Sequence, residues 1–216
     1  SPLCRLYPYA VNVSRTEGMA KGMSGQKTVT PSAESLAASI KATKTRGLPP
    51  VEQWNPPFCG DIDMEIRRDG TWFYEGTPIG RPGLVKLFAS ILIREDDSYF
   101  LITPVEKVGI RVHDAPFVAV DFEASGEGSE QRLTFTTNLE DITVASADAP
   151  LRFVRDDTTG EPSPYVRVRR NLEALIDRKS FYRLVDLGVQ HKGWFGVWSN
   201  GAFFGIIPSN ELPAEE

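Results

Sequence analysis

Apolar and polar positions alternate most clearly at Ile62, Met64 and Ile66, which are separated by Asp63 and Glu65 and followed by Arg67. A period of two places these sets on opposite faces of a half-buried strand. Asp69-Gly70 suits a tight turn, and Thr71-Trp72-Phe73-Tyr74 reads as the returning strand. The period then lengthens. Leu84, Leu87, Phe88, Ile91 and Leu92 recur at helical spacing and Pro82 fits a first turn, which predicts a helix over 81–94. A lone hairpin cannot hide its apolar side, so this helix is expected to cover it. Strands are predicted over 99–103 and 108–112.

The same order returns later in the chain. Val166 and Val168 alternate with Arg167 and Arg169, and Leu172 through Ile176 reads as the returning strand. Asp177 can cap a helix over 178–188 with Phe181, Leu184 and Val185 inward. Trp194 through Trp198 then pairs with Ala202 through Ile206 across Ser199-Asn200-Gly201, a strong hairpin signal. Met64-Glu65-Ile66-Arg67-Arg68 and Val166-Arg167-Val168-Arg169-Arg170 thus open two passages of like order. The predicted fold class is α+β: two small domains with a repeated β-hairpin/helix/β-hairpin motif, and antiparallel sheets each covered by a helix.

Further strands are expected over 117–123, 133–137 and 142–144, then an irregular crossover over 145–164 with a short strand at 151–153. Ser32-Ala33-Glu34-Ser35 can cap a leading helix that ends near Gly47. The proline-rich stretch 51–60 is expected to lay Trp54 and Phe58 across the first sheet. The predicted organisation is a flexible tail or extension over 1–30 and an N-terminal α+β unit over 31–98. Continuation strands and crossover follow over 99–164, and a C-terminal repeat unit over 165–210.

Composition narrows the function classes. The chain has 216 residues and a net charge of -5, which disfavours general nucleic-acid binding. It has no apolar run of about 18 residues, so no membrane helix is expected. Cys4 and Cys59 are the only cysteines, and Cys4 falls in the expected tail. The start lacks a signal-peptide pattern. A reduced, cytoplasmic setting is therefore expected, with Cys59 a buried thiol.

Candidate chemistry is sparse. His113 and His191 are the only histidines, and no zinc spacing is present. Asp61 and Asp63 share a strand face that could hold Mg²⁺ or serve acid/base work, although a solvated face explains them as well. Gly76 through Arg81 precedes a helix but lacks the phosphate-loop and dinucleotide glycine patterns, and is expected to be a helix-entry turn. No cofactor is implied.

The arginines beside aromatic residues point to recognition instead. Arg67, Trp72, Tyr74, Arg111 and Arg169 are the expected ligand-binding residues, at the junction of the two units. Arg167 and Arg169 are expected on one strand face. The leading expectation is a non-enzymatic module for a small molecule or a protein partner. One alternative is a metal- or phosphate-dependent hydrolase using Asp61 and Asp63, with His113 or Cys59. Another is a homo-oligomeric scaffold sealed by Tyr165, Phe203 and Phe204 at a sheet edge.

Several motifs resemble the bacterial domain-of-unknown-function family 1285. They are Trp54-Asn55-Pro56-Pro57, Cys59-Gly60-Asp61-Ile62-Asp63-Met64, Asp69-Gly70-Thr71-Trp72-Phe73-Tyr74 and Thr77-Pro78-Ile79. Tyr99-Phe100-Leu101-Ile102-Thr103-Pro104-Val105-Glu106-Lys107 and Asp114-Ala115-Pro116-Phe117 complete the set. The similarity runs over about 48–208. It implies a two-domain α+β arrangement with a recurring strand-and-helix unit, and a role in intracellular signalling. It carries over no catalytic residue.

Overall fold

Ser32 caps the first helix of the computed structural model, which describes residues 31–43 and 46–212. The tail expected over 1–30 lies outside these residues. Helix α1 spans Ala33–Ala42. The Ser35 amide donates to the Ser32 hydroxyl at 3.1 Å, and the Ser32 amide donates to the Ser35 hydroxyl at 3.0 Å. Two amides that a helix start leaves without partners are thereby satisfied. Leu36 and Ile40, one turn apart, are the buried stripe.

The first sheet follows. Its strands are β1 (Phe58–Ile66), β2 (Trp72–Tyr74), β3 (Thr77–Pro78), β4 (Leu92–Glu95), β5 (Ser98–Ile102) and β6 (Lys107–Val112), in the order β3-β2-β1-β6-β5-β4. Helix α2 (Pro82–Ser90) lies between β3 and β4 in the chain. The helix predicted over 81–94 is therefore too long. Leu92 through Glu95 instead pairs with β5 across the two-residue turn Asp96-Asp97, where Asp96 takes a φ of 52°. Ile91 and Leu92 fit a helical stripe and are fully buried. Burial alone does not separate a helix end from a buried strand start.

The second sheet contains β7 (Phe117–Ser125), β8 (Arg132–Thr137), β9 (Ile142–Val144), β10 (Leu151–Arg155), β11 (Pro162–Arg169) and β12 (Leu172–Ile176). Its order is β10-β11-β12-β7-β8-β9. β12 pairs parallel with β7, so the sheet is mixed, not antiparallel as expected. A parallel pair needs a long connection, and here four strands separate the two partners in the chain. The Thr143 hydroxyl on edge strand β9 donates to the Arg167 carbonyl on β11 at 3.1 Å. That bond spans the strands between them, so the sheet curls.

Helix α3 (Arg178–Asp186) is capped by Asp177, whose carboxylate accepts from the Ser180 amide at 2.8 Å. A three-stranded antiparallel sheet closes the fold: β13 (Val189–His191), β14 (Trp194–Ser199) and β15 (Ala202–Pro208). Asn200 and Gly201, with φ of 50° and 78°, form the two-residue turn between Ser199 and Ala202. Such turns match the twist of the strands they join.

The chain divides into two units. One contains residues up to Glu65 and Phe73–Arg111; the other contains Ile66–Trp72 and the chain from Val112 onward. In the first, Leu36, Met64, Phe88 and Leu101 are fully buried; in the second, Phe117, Phe135, Leu172 and Leu184 are. The architecture is two-domain α+β with a helix near each sheet.

Candidate functional site

In the first unit the polar positions of β1 meet β6. Arg111 on β6 donates to Asp63 at 2.7 Å and lies 3.7 Å from Glu65. The bond to Asp63 holds the Arg111 guanidinium above its usual range. The Asp61 carboxylate rests against Gly109, where an added Cβ would stand 2.0 Å from it. Among the described residues, no three or more His, Cys, Asp or Glu side chains are grouped to hold a metal.

Cys59, half-buried at the start of β1, is disulfide-bonded. The expected buried thiol is thus corrected, and Cys59 offers no free nucleophile. Tyr74 reaches the backbone of Ala33 at the start of α1, and burial pushes its phenol up.

In the second unit the decisive feature is a bulge in β11. Arg167 stands opposite Glu173, whereas Arg169 stands opposite Leu172, and the register shifts between them. Cross-strand partners share a face and consecutive residues do not. Arg167 and Arg169 therefore point to opposite faces, contrary to the alternation expected from the sequence. Arg169 lies over the Phe117 ring at 4.8 Å and pairs with Asp141 at 2.5 Å.

The Arg167 face carries an ordered polar chain. Arg152 grips both oxygens of Glu173, at 2.9 and 2.7 Å, and lies over the Tyr165 ring at 4.4 Å. Glu173 holds the Arg152 guanidinium above its usual range. The Tyr165 hydroxyl donates to Asp114 at 2.7 Å, and Asp114 pairs with Arg68 at 3.4 Å. Burial, then the bond to Asp114, pushes the Tyr165 phenol up to about 12. Tyr165 is 9% exposed on a strand flanked on both sides, so it seals no sheet edge, contrary to expectation. Phe203 lies on β15, an edge of its own sheet, and packs with His191 and Trp198 at centroid distances of 4.9 and 5.3 Å.

The residues expected to bind a ligand divide between the units. Tyr74 and Arg111 belong to the first, and Arg67, Trp72 and Arg169 to the second. Arg67 is exposed in the turn between β1 and β2. Trp72 is 1% exposed, and its indole packs in the interior. Arg152, Asp114 and Tyr165 were not in the expected set. Tyr165 and Asp114 lie 51 positions apart in the chain, and no local pattern announces their contact.

The N-terminal domain of the domain of unknown function DUF1285 matches residues 49–115, and the C-terminal domain of the same family matches residues 116–206. A crystal structure of a DUF1285 family protein from Silicibacter pomeroyi DSS-3 is 63% identical, with a TM-score of 0.76. That likeness covers 82% of this chain and 97% of the other. A crystal structure of a DUF1285 family protein from Shewanella baltica OS155 is 36% identical over 57% of this chain and 90% of the other, with a TM-score of 0.45. No curated protein matches the chain. Both halves of the family pattern are present, in order and contiguous, and the chain belongs to the bacterial DUF1285 family.

Proposed function

We propose that this protein is a non-enzymatic binding module that recognises a small molecule or a protein partner, within intracellular signalling. The observation that carries the reading is the Arg167 face of the second unit. There Arg152 is held in place by Glu173 and by the Tyr165 ring, beside a second guanidinium. Planar donors fixed by stacking lose little freedom when they meet an acceptor group, which favours recognition. Arg169, engaged with Asp141 on the opposite face, acts as support and not as a contact.

The architecture fits a duplicated scaffold. With the short strands β3 and β13 set aside, β1-β2-α2-β4-β5 and β11-β12-α3-β14-β15 follow one order, strand, strand, helix, strand, strand. The reading takes them as two copies of a β-hairpin/helix/β-hairpin motif, the second elaborated for binding.

Native mass spectrometry of freshly isolated protein, followed by a metabolite thermal-shift screen, tests the proposal. A retained compound, or one that raises the unfolding temperature without being consumed, supports it. Chemical turnover of that compound would show an enzyme instead. A protein that retains nothing and responds to nothing would remove the small-molecule arm. Purified candidate partners that leave its NMR spectrum unchanged would remove the other.

A further inference from the structure

We infer that Arg167 anchors a site for a small anion, the carboxylate or phosphoryl group of a ligand; this rests on the binding-module reading above. In the second unit, Arg68, Arg152, Arg155, Arg169 and Arg183 each have a carboxylate within ion-pair distance. Arg167 is half-buried, yet no described carboxylate stands within that distance of it. Its Nε is shielded from solvent and has no acceptor. A buried donor left without a partner costs about 1–3 kcal/mol, and more when charged, so chains rarely keep one without a reason.

The acceptor that register provides is already taken. Glu173 stands opposite Arg167, but both of its oxygens are gripped by Arg152. The Tyr165 hydroxyl on the same face is committed as a donor to Asp114. At Arg152, Arg167 and Glu173 there are thus two guanidinium groups and one carboxylate, which leaves one positive charge in excess. With no described carboxylate in reach of Arg167, the counter-charge assigned to it is a bound anion. A guanidinium offers parallel N–H groups, which suit a carboxylate or a phosphoryl group.

Thermal unfolding of the full chain and of Arg167→Met tests the site, in sodium phosphate, in sodium succinate and in sodium chloride of matched ionic strength. Wild type is expected to gain about 4 °C in phosphate or succinate at ten times the dissociation constant, with saturation. A response to phosphate alone assigns a phosphoryl group, and one to succinate alone assigns a carboxylate. Arg167→Met is expected to show neither response, and in chloride to be at least as stable as wild type, because an unpartnered buried donor is gone.

Equal responses of the two proteins, or no wild-type response beyond chloride, would overturn the site. So would an Arg167→Met variant that is less stable than wild type in chloride, since Arg167 would then be structural. The Nε–Hε NMR resonance of Arg167 provides a readout that needs no variant. Its saturable shift with phosphate or succinate is expected, and an unmoved resonance with both overturns the site. A metabolite that shifts Arg167→Met as much as wild type would sink the anion site alone and leave the binding module standing.

Discussion

Glu106 shows how far one side chain's behaviour depends on its surroundings. It sits in a tight turn in which the Thr103 hydroxyl accepts from the amides of Val105 and Glu106 at 3.3 and 3.1 Å. Burial pushes its carboxyl above the ordinary value of 4.5, against the influence of the Ser35 hydroxyl, which pulls the other way. A carboxyl raised in the folded state binds its proton more tightly there than in the unfolded chain. The stabilisation is fully present below the unfolded value near 4.5 and is lost as pH rises through the folded value. Glu106→Gln, neutral at every pH, is expected to unfold at higher temperature than wild type at neutral pH. The gap should close as pH falls below the unfolded value; circular dichroism melts across that range check the trend. Nothing around Pro104-Val105-Glu106 in the sequence announces this, because the burial comes from packing and Ser35 lies 71 positions away (106 − 35).

Among the elements, the β14–β15 hairpin was the most legible and is also the most constrained. Asn200-Gly201 marked its turn, and the structure places it there. Its glycines have separate causes. Gly201 meets the positive φ of the turn, whereas Gly196 lies where the strands approach closely. A Cβ at Gly196 would stand 2.1 Å from the Phe204 carbonyl oxygen and 2.8 Å from Gly205 Cα. Backbone cannot rotate aside as a side chain can, so Gly196→Ala is expected to cost about 3 kcal/mol. Urea unfolding with an unchanged m-value would measure it, and a cost under about 1 kcal/mol would contradict the close approach. The α2–β4 boundary is not legible in the sequence, because Leu92 satisfies a helical stripe and a strand alike. The Asp96-Asp97 turn decides between them only once β5 is in place to pair. The β11 bulge is hidden in the same way, since alternation puts Arg167 and Arg169 on one face only along an unbroken ladder.

For the whole molecule, stability in the second unit depends on contacts that join separate sheets. The Ser199 hydroxyl on β14, fully buried, accepts from the Leu133 amide at 3.0 Å and donates to the Ala145 carbonyl at 2.7 Å. The turn beyond it adds Asn200 and Gly201 amides donating to the Gln131 and Ser129 carbonyls at 2.8 and 3.2 Å. The closing hairpin is therefore bonded to the β8 end of the large sheet. Ser199→Ala leaves a buried amide and a buried carbonyl to find other partners, and is expected to cost about 2 kcal/mol. Hydrogen exchange should show the Leu133 amide losing protection in that variant; unchanged protection would mean the hydroxyl carries no such role.

Apart from β3, β4 and β13, the strand and helix identities, with the Asp177 and Ser32 caps, the Asn200-Gly201 turn and the two-unit α+β class, follow from rules that act over a few neighbouring residues. Those rules could be applied before any contact was known. The parallel pairing of β12 with β7, the face each arginine takes, and the acceptor each guanidinium finds are different in kind. They join residues far apart along the chain, where turn chemistry and periodicity have no reach. Only the folded chain could show that Arg152 takes the carboxylate standing opposite Arg167.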